Sequence, residues 1–333
     1  MLHHATHSPP TQPAPDEGTE ARYLPDPLRH EATDAPQWFR RAGLDEPTVG
    51  EVEHEGARIR YLRWPGGPGP ATLLVHGGSA HAHWWSPLAP LLRSQGPVVA
   101  MDLSGHGLSD WRPDGYTVAQ WAREVRAVAL ATSTAPPVVI AHSMGGIVSA
   151  HLAVTAGDTM GRLVVVDSPV WDSAPAPEGE IAARANAPTR YHADPEVPIS
   201  RFRLIPRQEC SNNWYMRHIA WHGLTATAQG YRWRFDPQIF AGNDGGADAG
   251  NRIARFEGSL SDSTCPYAVV MGEDSYLTPQ AVEVFGAASR SPAAVSRHGR
   301  TPLALVPSAG HHVLLDQPLA LVAAVRGVLA AWR

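Results

Sequence analysis

The chain has 333 residues, 43% of them hydrophobic, and a formal net charge of −5. That length and apolar content can bury a large core, as one domain with an insertion or as two domains. Basic and acidic residues are mixed along the chain without a basic patch or stripe, which argues against nucleic acid and anionic membrane surfaces as partners. The two cysteines, Cys210 and Cys265, cannot make a disulfide framework and read as inert thiols in a reducing compartment.

Residues 1–36 are rich in Pro, His, Asp, Glu and Thr and poor in aliphatics. Such a stretch buries too little surface to offset its ordering entropy, so it predicts a flexible tail. His3, His4 and His7 read as exposed tail residues rather than metal ligands. Residues 1–15 lack the apolar stretch and cleavage pattern of a secretion signal, and no run of 18 apolar residues exists. The expectation is a cytoplasmic protein.

From residue 50 the pattern changes. Segments 51–53 and 58–64 flank Glu55-Gly56 and predict an opening hairpin. Short apolar runs follow at 72–75, 98–101, 138–141, 163–166, 268–271 and 303–306. They are continuous rather than alternating, as strands buried on both faces should be, and helical patterns between them imply a parallel sheet. Helices are expected over 117–131, with Thr117 as N-cap, over 144–154, and over 318–332, capped by Asp316 or Gln317. The last would present Leu321, Val325, Val328 and Leu329 on one face. Between Trp171 and Thr264 the alternation stops, and Trp, Tyr, Arg, His and Pro dominate. This segment predicts a mostly helical insertion without a buried strand.

Three short motifs carry chemistry. In Val138-Val139-Ile140-Ala141-His142-Ser143-Met144-Gly145-Gly146 a buried strand turns into an apolar helix through a small-x-Ser-x-Gly turn. So tight a connection strains the backbone and lifts the serine hydroxyl over the sheet edge. The same turn sets the Met144 N–H at a helix start, aimed where an oxyanion develops. In Leu73-Leu74-Val75-His76-Gly77-Gly78-Ser79 a strand ends on His-Gly-Gly, so the Gly78 N–H is a candidate second donor. His76 reads as structural. His81 and His83 precede Trp84-Trp85-Ser86, not the Asp-His that a His-x-His-x-Asp-His metal site requires, so no metal is expected there. Trp84 and Trp85 are candidate pocket walls, as is Trp214. In Ser308-Ala309-Gly310-His311-His312-Val313, His311 follows a strand and is the candidate base, with His312 a neighbour turned away.

Taken in order, His76-Gly77-Gly78, Asp102-Leu103-Ser104-Gly105-His106-Gly107-Leu108-Ser109, Ala141-His142-Ser143-Met144-Gly145-Gly146 and Gly310-His311 resemble the α/β-hydrolase superfamily from about residue 50 onward. The resemblance implies an α/β fold with a mostly parallel eight-stranded sheet flanked by helices and an inserted, mainly helical cap. It implies a Ser–acid–His triad and no cofactor, with a structural role for the 102–109 loop. The resulting division is a tail at 1–36, core at 37–172, cap at 173–262 and core again at 263–333. Most of the superfamily carries its acid in a Gly-x-x-Asp pattern, where this chain reads Gly272-Glu273-Asp274-Ser275. In the branch that includes haloalkane dehalogenases and some small esterases, the acid follows the earlier strand. There this chain has Asp167, which is preferred, with Asp274 the alternative.

The implied activity is hydrolysis of a carboxylic ester through an acyl-enzyme on Ser143, with Gly78 and Met144 as oxyanion donors. A lactonase, a thioesterase or a carbon–carbon bond hydrolase would use the same residues. A non-catalytic ligand-binding protein on the same fold is the reading from a different class. The expected partner is a small ester-like substrate with an apolar portion. Arg201 and Arg203 could meet a substrate carboxylate or make surface ion pairs. A histidine base predicts a rate that falls on acidification, because imidazolium cannot accept the serine proton.

Overall fold

The computed structural model describes residues 34–171, 188–240, 260–288 and 302–332. The expected tail, with His3, His4 and His7, lies outside the described residues except for 34–36, and so does part of the expected cap.

The opening hairpin pairs β1 (Thr48–His54) with β2 (Ala57–Trp64). Its two-residue turn needs left-handed backbone at both central positions, and Glu55 (φ 48°) and Gly56 (φ 73°) supply it. β3 (Thr72–Val75), β4 (Val98–Met101), β5 (Val138–His142) and β6 (Arg162–Val166) follow. β7 (Leu224–Thr227) and β8 (Gly230–Trp233) form a separate antiparallel pair, and β9 (Tyr267–Gly272) and β10 (Leu303–Val306) complete the chain. The main sheet has eight strands in the order β1-β2-β4-β3-β5-β6-β9-β10. β2 is antiparallel to both neighbours, and β3 to β6, β9 and β10 pair in parallel.

The continuous apolar runs follow from covering both faces. Leu73, Val75, Val139, Ala141 and Val165 enter one core cluster, while Leu74, Ile140, Val164 and Val166 enter the other. Alternate side chains leave a strand on opposite faces, so with both faces dry every position must be apolar. Each buried Leu, Ile or Val among them stabilises the fold by about 1.5–3 kcal/mol.

A short helix, α1 (Gln37–Gly43), precedes the sheet. α2 (Val118–Thr132) and α3 (Met144–Ala156) cover the first face. Thr117 caps α2, its hydroxyl accepting from the Gln120 N–H at 3.1 Å. The insertion between β6 and β9 carries a turn of helix at Glu196–Ser200, then α4 (Asn213–His222) and the β7–β8 hairpin. The sequence reading missed that hairpin because its turn, Ala228-Gln229, lacks an Asn-Gly or Asp-Gly signal and its strands have four residues each. After β9 comes α5 (Thr278–Ala288), and the chain closes on α6 (Pro318–Ala331). α6 buries Leu321, Val322, Val325 and Val328 against the second face. Gln317 stands at its N-cap without a side-chain cap bond. Asp316 instead accepts from the Gly310 N–H at 2.8 Å and from Gln208 Nε2 at 2.6 Å. No described helix is long and apolar enough to cross a membrane.

The 102–109 loop is a framework element. The Asp102 carboxylate accepts from the Ala82 N–H (2.7 Å) and the Leu108 N–H (2.9 Å), which ties the loop to the segment after β3. Beside it, Arg112 donates to Glu124 at 2.9 Å and to the carbonyls of His54 and Glu55. Glu124 is fully buried, and burial pushes its carboxyl above the ordinary range despite Ser104 and Arg112. Arg112→Ala strands that buried group and is expected to cost about 3–5 kcal/mol, read as a lower urea midpoint. A loss within 0.5 kcal/mol (a level usual for surface changes) would remove this pair from the framework.

Candidate active site

Ser143 sits between β5 and α3 with φ 52° and ψ −124°, a conformation that side chains rarely adopt. The crowding that demands small neighbours is explicit. A Cβ at Gly145 would lie 2.4 Å from the His76 carbonyl oxygen, and one at Gly146 would lie 2.0 Å from Ser168 Oγ. Ala141, at the first small position, fits with its methyl fully buried in the core. The Ser143 N–H donates to the Val166 carbonyl (3.1 Å), and Ser168 Oγ donates to the Ser143 carbonyl (2.6 Å), so the end of β6 and the residues just after it fix the turn.

His311 arrives from the loop after β10. Its Nε2 lies 3.0 Å from Ser143 Oγ, and its Nδ1–H donates to Asp167 Oδ1 at 2.8 Å. Asp167 follows β6 in a left-handed conformation (φ 41°) and is fully buried. Its carboxylate also accepts from the Gly272 N–H and from Ser275 Oγ, each at 2.7 Å. Three donors therefore fix the position of this carboxylate. Ser275 occupies the frame where the Gly-x-x-Asp pattern would place an acid, and here it supports Asp167 instead. Asp274 is exposed; its N–H donates to the Ala309 carbonyl at 2.9 Å, and its side chain faces the rim of an open cavity. The structure therefore brings Ser143, His311 and Asp167 together and leaves Asp274 outside that chain of hydrogen bonds.

Neighbouring histidines serve the frame. His142 Nε2–H donates to the His311 carbonyl at 3.0 Å, and burial beside His311 holds the His142 imidazole down to about 3, so it stays neutral. His312 points its Nε2 at the Pro206 carbonyl, 3.3 Å away, and its ring is buried. His76 donates to the Gly77 carbonyl (2.7 Å) and accepts from the Leu103 N–H (3.1 Å), and burial lowers it to about 4.

Among the described residues, the N–H groups of Gly78 and Met144 donate to no acceptor. A Cβ at Gly77 would stand 3.2 Å from Ser143 Cβ, so glycine lets this loop pass close to the hydroxyl. Ser79 next to it was not singled out by the sequence motif. It has φ 56°, and its Oγ is buried without a partner among the described residues. Among the described residues, two cavities flank the site. One, of about 180 Å³, is lined by Gly78, Ser79, Trp84, Phe202, Trp233 and Arg234. The other, of about 660 Å³ and more open, is lined by His311, Tyr276, Asp274 and Ser308. Burial pushes the Tyr276 phenol up to about 12.

The three tryptophans expected to wall the pocket part company. Trp84 lines the smaller cavity. Trp85 turns the opposite way and packs in the core beneath the sheet with Trp64 and Leu88, so it is not a pocket wall. Trp214 packs on Phe39 and Tyr215 and lines neither cavity.

A doubly covered, mostly parallel eight-stranded sheet with a serine on a strained strand–helix turn defines an α/β-hydrolase. The chain belongs to the alpha/beta hydrolase family, whose model matches residues 72–325. It is 31% identical to Esterase Rv0045c of Mycobacterium tuberculosis over 302 residues, 87% of this chain and 92% of that protein. A crystal structure of the Mycobacterium tuberculosis esterase Rv0045c superposes with a TM-score of 0.60 at 26% identity, covering 88% of this chain and 95% of that one. E-2-(acetamidomethylene)succinate hydrolase shares the fold, with a TM-score of 0.67 at 22% identity over 86% of this chain and 100% of that one.

Proposed function

We propose that this chain hydrolyses carboxylic esters by acyl transfer through Ser143. The observation that carries the reading is the continuous line of hydrogen bonds from Ser143 Oγ through His311 to buried Asp167. His311 Nε2 takes the Ser143 proton as Oγ attacks the ester carbonyl, and Asp167 holds the imidazole in the tautomer that makes this possible. The oxyanion accepts hydrogen bonds from the Gly78 and Met144 N–H groups. The imidazolium then returns its proton to the departing alkoxide. Water, deprotonated by His311, clears the acyl-enzyme and regenerates Ser143. The similarity to an esterase over most of both chains supports the ester over a thioester, a lactone or a carbon–carbon bond.

In this reading the smaller cavity takes the acyl group, because it adjoins Gly78 and is walled by Trp84, Phe202 and Trp233. The more open cavity beside His311 takes the leaving alcohol. A panel of p-nitrophenyl esters, thioesters and lactones, with fluorophosphonate labelling of Ser143, tests the reading. Turnover of short-chain esters with labelling is expected. Labelling without turnover of any acyl substrate would favour a ligand-binding protein on the same fold.

Ser79 enters as a third donor. A buried hydroxyl without a partner and a left-handed backbone at one non-glycine residue are two separate costs, and both fall beside the Gly78 N–H. Ser79→Ala is expected to lower kcat about 10- to 100-fold at nearly constant KM, since the hydroxyl acts on charge that develops in the transition state. A rise in KM at constant kcat would assign Ser79 to ground-state binding instead.

A further inference from the structure

A second histidine cluster lies outside the triad, at the junction of the core and the insertion. His83 stands in the short turn after β3, and His218 and His222 lie one helical turn apart on α4. All three side chains are buried. Each offers a ligand atom within 4.8 Å of those of the other two. His83 and His222 stack with ring centroids 3.7 Å apart, and His218 stands edge-on to both at 5.8 and 4.6 Å. Ser86 Oγ lies 3.1 Å from His83 Nδ1 and 3.0 Å from His218 Nε2.

We propose that His83, His218 and His222 form a binding site for a divalent transition metal of the zinc type, which pins α4 of the insertion to the core. Two histidines at i and i+4 put two imidazoles on one helix face, and a third from a separate segment completes a three-nitrogen set. Neutral imidazoles select zinc, copper, nickel or cobalt over the oxygen-seeking magnesium and calcium. Ser86, bonded to one nitrogen of His83 and one of His218, fixes the orientation of both rings, the role of an outer-shell partner. Around a tetrahedral zinc with bonds of about 2.0 Å, ligand nitrogens lie about 3.3 Å apart. The cluster must therefore close by side-chain rotation, and His83 and His222 must leave their parallel stack so that both lone pairs converge. The fourth position is left to water or an anion. The site does not depend on the ester-hydrolase reading, but it adjoins the smaller cavity, because Ile219 and Gly223 line that cavity from the same end of α4.

The test uses the untagged full chain with His3, His4 and His7 replaced by asparagine, stripped with chelator and dialysed. Titration with Zn2+ by calorimetry, and with Co2+ by visible absorption, is expected to show a single bound equivalent, nitrogen-rich tetrahedral cobalt bands and a higher Tm. His222→Phe, which preserves the stack, and His218→Gln, which preserves a partner for Ser86, should each weaken binding at least about tenfold and remove the Tm shift. The other group able to hold a metal, His142, His311 and His312, is the competing location. Absence of a bound equivalent would overturn the proposal. So would binding that survives both α4 variants and is lost in His312→Phe.

Discussion

Ser143→Ala is expected to reduce kcat about 10^5- to 10^6-fold while the protein stays folded. The hydroxyl is the only atom removed, and it holds none of the hydrogen bonds that fix the turn. Those run from the Ser143 N–H to Val166 and from Ser168 to the Ser143 carbonyl, and alanine keeps both. Substrate affinity should change little, because the oxyanion donors and both cavities stay in place. Covalent labelling by a fluorophosphonate should vanish. The backbone supplies a control on stability: φ 52° is strained for any residue with a Cβ, so Ser143→Gly should raise Tm even though it too is inactive. Retention of more than about one per cent of activity in Ser143→Ala, well above the residue expected from binding alone, would place the nucleophile elsewhere.

Asp167→Asn is the second large effect, an expected fall in kcat of about 10^4. The asparagine amide would present a donor where His311 Nδ1–H needs an acceptor, so the imidazole would turn to the wrong tautomer. The Gly272 N–H and Ser275 Oγ–H would also lose the charge they now solvate. Asp274→Asn is the matched control. Its carboxylate is exposed and outside the hydrogen-bonded chain, so kcat should stay within about threefold, a change of under 1 kcal/mol. If Asp274→Asn alone collapsed kcat, the acid would have to be reassigned. Measuring both variants at saturating substrate separates this from any change in binding.

The strands were legible because burial on both faces leaves an unbroken apolar run, and Leu73-Leu74-Val75 shows how neighbours then divide between two core clusters. The serine turn was legible because its glycines answer to specific close contacts, at Gly145 with the His76 carbonyl and at Gly146 with Ser168. The acid was harder. Two strand ends offer an aspartate near the base, and only the fold reveals that Ser275 fills the second frame as a donor to the first. The pocket was the least readable part. Trp84 and Trp85 are adjacent in sequence and face opposite sides of a short turn, which no periodicity distinguishes. His83 carries no metal spacing of its own, because its two neighbours come from α4, far along the chain.

The hydrogen bond from Ser275 to Asp167 makes the end of β9 an outer brace for the acid at the end of β6. The base touches the acid directly and reaches Ser275 only through it, so the two strand ends act in series on one imidazole. One strand end supplies the carboxylate and the other the hydroxyl that steadies it.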